Sequence, residues 1–559
     1  MKKMFWGAAL NAHFLAACFV LALLAVGAMQ SLVFAATEPV AKGQYYLVGV
    51  GPGDADLLTS RAVEVIREAD VVFCDPRTQK DLASLVDFKG KQVLDGYGVI
   101  FRFYGRDCSK LTEEDKAKAK DGMTCEDYRK KQVEFAKIVR DAVGKGKKVV
   151  MTTGGDPMIY GPALWTLHDL KDLQPVVVPG LSSMNAANAA LQVSLGEVVI
   201  TAPFKKQDAK DDIESLAKHD RATLVIFMPR DIKDLLARLS GVYPSDTPIA
   251  VASYAGIAGK EKVVSGTLAD IASKLGDTDI RMSLVYVGKA LANAQYRKEG
   301  EKPVASKGKF YLVGVGPGDP DLATLRALDV IKKADLIFCS KPIKEKFAQY
   351  LEGKNVVEGY HRLFPFYRKD CSQATEQDKS RERMSCEEYH KKQEEFASMT
   401  RDAVAQGKTV AMLDSGDPLI YGPCSWTLTE LHDVDTEVVP GLSCFNAANA
   451  ALGVGVTEGK TSHSVLLASG WSVDEMAPHQ ATMVLFTMRT EFKKFIDSLS
   501  KHYPPETPVA IVMHAGYAET ESVMRGTLGG ILAQVGEGKL PFEYLLYVGD
   551  FLTNGGKQW

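Results

Sequence analysis

Short apolar runs alternate with amphipathic segments along most of the chain. Residues 45–50 (YYLVGV) form one apolar run, which leads into a turn rich in glycine. Beyond the turn, Thr59 stands before a segment whose apolar residues recur at helical spacing, and residues 71–74 form the next apolar run. This order predicts a strand, a helix capped by Thr59 and a second strand. Strands separated by helices are typical of a largely parallel α/β sheet with helices on its faces.

The whole pattern occurs twice, which indicates an internal duplication. The segment YYLVGVGPGDADLLTSRAVEVIREADVVFC (45–74) recurs as FYLVGVGPGDPDLATLRALDVIKKADLIFC (310–339). The segment MTTGGDPMIYGPALWTL (151–167) likewise recurs as MLDSGDPLIYGPCSWTL (412–428). Because a repeat this long exceeds the repeats of solenoid proteins, each copy is a whole domain of about 250 residues.

The division of the chain follows from the duplication. We predict a first domain over 44–291, a linker over 292–309 that is rich in Lys, Glu, Gly and Ala, and a second domain over 310–552. In each domain the apolar runs of the later part are more closely spaced, which predicts a second lobe with its own sheet. The predicted fold class is therefore α/β, with two tandem domains of two α/β lobes each.

The N-terminal segment 1–36 differs from the rest of the chain. Two lysines precede a mostly apolar run over 14–34, and two alanines follow it. This arrangement predicts a secretory signal peptide with a cleavage site. The run of about 20 residues is also long enough to span a bilayer, so a single-pass anchor is the alternative. Either way we expect the body outside the cytoplasm, in the periplasm or anchored to the inner membrane, with membrane contact only through this segment.

Charge and motif content argue against several function classes. Lys and Arg total 67 and Asp and Glu total 70, which gives a net charge of −3. The sequence has no long basic stripe interleaved with aromatic residues, so we do not expect nucleic acid as a partner. The repeated segments contain no HExxH, no CxxC pair and no Ser-centred elbow, and the sequence therefore predicts neither a metal site nor a covalent nucleophile.

Glycine-rich loops follow several predicted strands. The loop 49–54 (GVGPGD) fits neither the dinucleotide fingerprint nor the P-loop. The loops 154–157 (GGDP) and 179–182 (PGLS), and the pair Phe227 and Met228, also end predicted strands. In a parallel α/β sheet such strand ends converge on one crevice. Their glycines, carboxylate, hydroxyls and methionine suit a nucleoside with an amino-acid tail better than a pyrophosphate.

These motifs carry a resemblance to a known family. Both copies resemble the tetrapyrrole (corrin and porphyrin) methylases, over 45–288 and 310–549. The resemblance rests on the order of the motifs, which is GVGPGD, GDPxIYG, VVPGLS, a strand ending near Met, TPxA, and SGTL or RGTL. The resemblance implies two lobes with S-adenosylmethionine in the cleft between them, and S-adenosylhomocysteine as product. It implies methyl transfer to a small tetrapyrrole-like substrate, a porphyrin or corrin precursor. Because family members usually act as homodimers, the fusion of two copies implies a pseudo-dimer within one chain.

The resemblance also assigns cofactor-binding positions. In the first copy they are Pro52, Gly154, Gly155, Asp156, Ile159, Ser182, Ser183, Met228 and Ala250. In the second copy they are Pro317, Gly416, Asp417, Ile420, Ser443, Cys444, Met488 and Ala510. The second copy departs from the family pattern, because Ser415 replaces the first glycine of GGDP and Met488 is displaced by one place. We therefore expect the first copy to be the better cofactor site.

The segment between the second strand and the GGDP loop is the expected substrate side. Residues 95–108 match 358–371, and residues 124–136 match 385–397. Tyrosine and arginine side chains in these segments are catalytic candidates, because they could orient an anionic substrate and accept its proton. The candidates are Tyr104, Arg106, Tyr128, Tyr367 and Tyr389.

Two alternative functions stay open. The tyrosine and arginine cluster, followed by a helix rich in Lys and Gln, is similar to the borosin-type peptide backbone N-methyltransferases, whose substrate would be a peptide. Export would also separate the body from the cytoplasm, where S-adenosylmethionine is made. The second alternative is therefore a non-catalytic ligand-binding protein on the same fold.

The cysteines are consistent with an oxidising compartment. One of the nine lies in the leader, and an even number remains. We predict disulfides between Cys108 and Cys125 and between Cys371 and Cys386, each stabilising by on the order of 3 kcal/mol, with buried thiols as the alternative. Two further cysteines at strand ends, in 71–74 and its second copy, are expected to be packed thiols.

Overall fold

The computed structural model describes residues 43–553, apart from residues 118, 120–121, 205–210, 220, 294–306, 376–381, 461, 470–471, 487–491 and 537–539. The predicted leader 1–36, most of the predicted linker and Met488 lie outside the described residues. Within the described part of the chain, no helix is both long and apolar enough to cross a membrane.

Each copy begins with a five-stranded parallel sheet. In the first copy its strands are β1 (Gln44–Gly49), β2 (Val71–Phe73), β3 (Gln92–Leu94), β4 (Lys148–Thr153) and β5 (Val176–Val178), in the spatial order β3-β2-β4-β1-β5. In the second copy they are β11 (Lys309–Gly314), β12 (Leu336–Phe338), β13 (Val356–Val357), β14 (Thr409–Asp414) and β15 (Thr436–Val439), in the equivalent order. The predicted parallel α/β sheet is confirmed in both copies.

The later parts of the two copies share one ten-stranded sheet. The first copy supplies β6 (Val198–Thr201), β7 (Thr223–Phe227), β8 (Pro248–Ser253), β9 (Lys262–Thr267) and β10 (Ser283–Val287). The second supplies β16 (Val465–Ser469), β17 (Thr482–Phe486), β18 (Pro508–Met513), β19 (Ser522–Thr527) and β20 (Tyr544–Val548). The order is β19-β18-β20-β17-β16-β6-β7-β10-β8-β9, and the copies meet where β6 pairs antiparallel with β16. Each second lobe therefore has half of a common sheet rather than a sheet of its own.

Helices pack on these sheets. The first copy contains α1 (Ser60–Glu68), α2 (Pro76–Leu82), α3 (Glu113–Ala117), α4 (Cys125–Val143), α5 (Trp165–Asp169), α6 (Ser183–Leu191), α7 (Ile213–Leu216), α8 (Ile232–Ser240) and α9 (Ile271–Leu275). The second contains α10 (Leu325–Lys333), α11 (Lys341–Lys346), α12 (Ala348–Leu351), α13 (Cys386–Ala405), α14 (Trp426–Glu430), α15 (Cys444–Leu452), α16 (Val473–Met476), α17 (Phe492–Leu499) and α18 (Ile531–Val535). Helix α1 begins as predicted, because the Thr59 hydroxyl accepts a hydrogen bond from the Ala62 amide at 3.1 Å.

The hydrophobic core joins the copies. One buried cluster on each face of the ten-stranded sheet contains residues of both copies, for example Val225 with Val484 on one face and Ile226 with Leu466 on the other. Burying apolar surface is the main favourable contribution to folding. The two copies therefore form one folding unit around this sheet.

Reciprocal polar contacts link α1 and α10. The Arg61 guanidinium donates to both Asp321 oxygens at 2.7 and 2.8 Å, and Arg326 donates to both Asp56 oxygens at 2.8 Å. Thr59, the N-cap of α1, forms a backbone bridge with Thr324, the N-cap of α10. The same contact is thus made twice, with the roles of the copies exchanged.

The cysteine predictions are confirmed. Cys108 is bonded to Cys125 and Cys371 to Cys386, so the same loop is closed in each copy. Cys74, next to the end of β2, is a buried thiol. Its counterpart in the second copy, Cys339, is buried as well.

Candidate functional site

Four strand-end loops of the first copy meet at one place. The Gly155 amide donates to the Gly51 carbonyl at 2.8 Å, which joins the loops after β1 and β4. The Asp54 amide donates to the Gly256 carbonyl at 2.9 Å, which joins the first of these to the loop after β8. A Cβ on Gly180, after β5, would lie 2.5 Å from the Gly155 carbonyl oxygen. The predicted convergence of the glycine loops is therefore observed, and it brings both lobes together.

Close backbone approach explains one glycine of the loop after β1. A Cβ on Gly53 would lie 2.2 Å from the Gly256 carbonyl oxygen, and one on Gly318 would lie 2.3 Å from the Gly516 carbonyl oxygen in the second copy. Only glycine allows backbones to approach so closely. These glycines thus allow the two lobes of each copy to approach closely, and this requirement does not depend on a ligand.

Gly154 has a different environment. It is exposed, and among the described residues no heavy atom lies within 4 Å of a Cβ built on it. Its counterpart Ser415 is also exposed. The space above this loop is open in the first copy, whereas in the second copy the same loop carries a hydroxymethyl side chain.

Met228 has a strained backbone and an exposed side chain. Its φ is 53°, in the left-handed region, and 36% of its surface is exposed although it follows the buried strand β7. Tyr160 and its counterpart Tyr421 have φ values of 53° and 57°, and their rings pack on the last residue of β7 and of β17. Left-handed non-glycine residues concentrate at functional sites. Both features favour a ligand site at these strand ends.

The remaining cofactor positions form walls around the loops. Ser182 caps α6 by accepting a hydrogen bond from the Asn185 amide, and Ser183, half-buried, opens the first turn. The second copy repeats this with Ser443 and the partly exposed Cys444. The other predicted positions are half-buried Pro52, buried Pro317, and Ile159, Ala250, Ile420 and Ala510, which are buried in the shared core cluster.

Two of the predicted cofactor residues make contacts of another kind. Asp156 accepts hydrogen bonds from the Asn446 side-chain amide at 2.6 Å and from the Met158 amide at 2.8 Å. Asp417 accepts the equivalent bonds from the Asn185 side chain at 2.6 Å and the backbone amide of the second residue after it at 2.8 Å. Burial raises the pKa of both carboxyl groups to about 7. Each carboxyl group therefore joins the copies through one of its oxygens, and its role as a cofactor ligand stays a prediction.

The predicted catalytic side chains are occupied by internal partners. The Arg106 guanidinium pairs with Asp115 at 2.8 Å. The three hydroxyl contacts are Tyr104 to Asp169 at 3.4 Å, Tyr367 to Glu430 at 3.1 Å and Tyr389 to Glu382 at 2.8 Å. Tyr128 is fully buried against Phe103, with ring centroids 5.4 Å apart. The rings of Tyr128 and Tyr389 thus lie in the core, and the polar groups of Arg106, Tyr104 and Tyr367 are paired at partly exposed positions. The catalytic role of these residues stays a prediction.

Sequence reasoning missed the asparagines that join the copies. Asn185 and Asn446 are fully buried in the first turns of α6 and α15. Each side-chain oxygen caps its own helix, while each side-chain nitrogen reaches the carboxylate of the other copy. The signal was the NAANAAL segment, which is identical in both copies.

A cavity of about 630 Å³ lies between the two copies and is lined in part by Gly256 of the loop after β8. Its lining mixes cations such as Lys260 and Arg326 with anions such as Glu261 and Glu437. Neither Gly154 nor Met228 lines it. The convergent loops, rather than this cavity, are therefore the candidate site.

Comparison with known proteins connects this site to a family. The family model described as Tetrapyrrole (Corrin/Porphyrin) Methylases matches residues 44–272 and 309–532. A cobalt-precorrin-4 C(11)-methyltransferase of Methanocaldococcus jannaschii is 30% identical over 258 residues, which cover 44% of this chain and 88% of the relative. A uroporphyrinogen-III C-methyltransferase of the same organism is 29% identical over 237 residues, covering 40% of this chain and 88% of the relative.

A solved structure and a further relative are similar over comparable lengths. A crystal structure of a cobalt precorrin-4 methyltransferase from cobalamin biosynthesis is 26% identical, with a TM-score of 0.35, and covers 44% of this chain and 95% of that chain. A precorrin-4 C(11)-methyltransferase of Pseudomonas aeruginosa is 28% identical over 257 residues, 44% of this chain and 91% of the relative. Each relative thus corresponds in length to about one copy.

Proposed function

Because the chain belongs to the tetrapyrrole (corrin/porphyrin) methylases, we propose that its first copy transfers a methyl group from S-adenosylmethionine to a carbon of a porphyrin or corrin precursor. The observation that carries the proposal is the open space above Gly154, bordered by strand-end loops of both lobes. The relatives support the substrate class, since those named above act on precorrin-4 or uroporphyrinogen-III at carbon. The tetrapyrrole substrate is therefore favoured over the peptide alternative.

The residues present fit a nucleoside with an amino-acid tail. The backbone of Gly154 and Gly155 and the half-buried Ser183 in the first turn of α6 offer polar groups, while Met228 offers an exposed apolar surface. The bound cofactor supplies an electrophilic methyl group on a sulfonium. The protein contributes by holding the acceptor carbon in line with that methyl group, and such positioning lowers the barrier of displacement reactions strongly.

Apolar side chains favour a macrocyclic substrate on the predicted substrate side. Val99 and Phe364 keep 49% and 42% of their surfaces exposed, and they lie in the matching segments 95–108 and 358–371. Ligand sites are lined mainly by hydrophobic and aromatic side chains with a few polar groups. We propose that these segments contact the face of the tetrapyrrole.

The test is a calorimetric titration of the full chain, kept in detergent so that the N-terminal segment is retained, with S-adenosylhomocysteine. Gly154→Trp places a large ring in this space, starting from a Cβ that has no described heavy atom within 4 Å. Ser415→Trp is the matched variant in the second copy. We expect binding to the unmodified chain and to Ser415→Trp, and loss of binding in Gly154→Trp. Absence of binding to the unmodified chain, with a cooperative thermal unfolding transition, would rule the proposal out.

We propose that the body is exported, either behind a cleaved signal peptide or held by a membrane anchor. The two disulfides support this location, because disulfides persist mainly in oxidising compartments. Alkylation of intact cells followed by mass spectrometry measures the state of these four cysteines. We expect them to be oxidised in the periplasmic or membrane fraction. Free thiols at all four positions would contradict export.

We also propose that the two copies form a pseudo-twofold dimer within one chain. The shared sheet and the reciprocal Arg61 and Arg326 contacts support it. A chain that already contains its partner has no need of a second one. Analytical ultracentrifugation should therefore give the mass of a single chain, and a stable two-chain species would contradict the proposal.

A further inference from the structure

A cluster of three possible metal ligands lies in the second copy. The Nε2 atom of His361 is 3.2 Å from Oδ1 of Asp414, and Oδ2 of Asp414 accepts a hydrogen bond from the Cys424 amide at 3.1 Å. One ligand atom from each side chain lies within 4.8 Å of the other two. The Asp414 side chain is fully buried, Cys424 is buried, and His361 is only 12% exposed.

Among its described residues the first copy has no such cluster. The matching positions are Gly98, Thr153 and Ala163. Thr153 ends β4 as Asp414 ends β14, which fixes the register of the comparison. Three positions that are distant in sequence thus differ between the copies, and in the second copy their side chains lie together at one buried place.

We propose that the second copy binds a divalent transition-metal ion of the zinc class through His361, Asp414 and Cys424. Imidazole nitrogen, thiolate sulfur and carboxylate oxygen are the ligand types that zinc takes in proteins. A bound cation would also compensate the buried carboxylate, whose charge is costly away from water. Three protein ligands leave a fourth position open, as in sites where zinc binds water or a substrate.

The position of the cluster gives the ion a place in the second candidate site. Asp414 directly precedes Ser415, Gly416 and Asp417, the counterpart of the GGDP loop. The ion would therefore lie at the edge of that loop, with its open position available to an oxygen or nitrogen donor. In this way the second copy would have a metal site where the first has an open cofactor loop.

A second cluster of possible metal-ligating side chains could interfere with the test. Cys371, Cys386 and His390 also lie close together, but the two sulfurs are joined in a disulfide. Reduction would release two thiols at that place. The measurements must therefore be made without reductant.

The experiment uses the full chain in detergent, freed of metal with a chelator and then titrated with Co²⁺, followed by Zn²⁺ competition. Cobalt bound to a thiolate gives a sulfur-to-metal charge-transfer absorption in the near ultraviolet. We expect one equivalent of Co²⁺ with this absorption, displaced by Zn²⁺. The triple variant His361→Gly, Asp414→Thr, Cys424→Ala, which carries the first-copy residues, is expected to lose that equivalent.

Thermal unfolding of the metal-free triple variant checks that this variant folds. Cys424→Ser provides a second readout, because it removes the sulfur while keeping a small polar side chain. We expect Cys424→Ser to lose the charge-transfer absorption. The proposal is overturned if the folded unmodified chain shows no charge-transfer absorption, or if the bound equivalent persists in the triple variant.

Discussion

The two copies make reciprocal contacts through helices α6 and α15 and differ at the ends of β4 and β14 and in the loops that follow them. The contacts between them are reciprocal at Asn185 and Asn446, and both asparagines reach a buried aspartate of the opposite copy. The strand ends and the loops after them differ, since buried Thr153 corresponds to buried Asp414 and exposed Gly154 to exposed Ser415. Stability depends on the shared interface in both copies alike. The side chains of the open loops are under no such requirement, so the two sites can acquire different chemistry.

The largest effect on stability is expected when the reciprocal side-chain amides of Asn185 and Asn446 are removed. In Asn446→Ala the buried Asp156 carboxylate loses a 2.6 Å hydrogen bond, and Asn185→Ala removes the same bond from Asp417. Removing a hydrogen bond from a buried charged group lowers the free energy of unfolding by about 3 kcal/mol. We expect each variant to lower the free energy of unfolding by that amount, measured by chemical denaturation. Clearly unequal losses would show that the interface is not energetically symmetric.

The pH dependence of stability provides a second test of the same interface. Burial raises the pKa of Asp156 and Asp417 to about 7, above the ordinary value of 3.8. Between these two values the folded state binds more protons than the unfolded state, so stability falls as the pH rises from about 4 to about 7 and then levels off.

Chemical denaturation of the unmodified chain across this pH range measures the slope. The double variant Asp156→Asn, Asp417→Asn removes both titrating groups, and it should flatten the slope whatever its absolute stability. A slope that survives in the double variant would assign the titration to other groups.

Much of this fold follows from local patterns, but the interface does not. The strand and helix order and the Thr59 cap were predicted because periodicity and capping are local properties. The pairing of β6 with β16 was not predicted, because it joins segments far apart in sequence and adds no motif to either. Asn185 was missed for a related reason, since the repeated NAANAAL segment marks the helix in both copies but not the residue that the amide reaches.

The site predictions divide in the same way. The glycine loops were predicted to converge because parallel strands end at one edge of a sheet, and they do. The tyrosines and arginine proposed for catalysis came from matching segments, and a match does not say whether a side chain faces a cleft or the core. His361, Asp414 and Cys424 were missed because their separation in sequence fits no metal motif.

Exchanging Gly154 and Ser415 between the copies tests whether this residue causes the difference between the two open loops. Gly154→Ser places a hydroxymethyl group in the proposed cofactor space, and Ser415→Gly removes one from the second copy. We expect Gly154→Ser to weaken S-adenosylhomocysteine binding about tenfold, which corresponds to about 1.4 kcal/mol. Ser415→Gly is expected to leave the first site unchanged. Calorimetric titration measures both, and unchanged affinity in Gly154→Ser would remove the steric explanation for the difference between the copies.

The smallest loss of stability is expected at the partly exposed ion pairs that each of α1 and α10 makes with the turn before the other helix. The Arg61 and Asp321 side chains are 26% and 37% exposed, and Arg326 and Asp56 are 25% and 49% exposed. Solvent screens such pairs, although their two-pronged geometry is favourable, so Arg61→Ala and Arg326→Ala should each cost about 0.5–1 kcal/mol. The loss should shrink in high salt, whereas the loss in Asn446→Ala should not, because the buried amide contact is shielded from ions. Denaturation at low and high salt distinguishes the two, and a salt-insensitive loss in Arg61→Ala would mean that packing of the arginine side chain, rather than its charge, stabilises this contact.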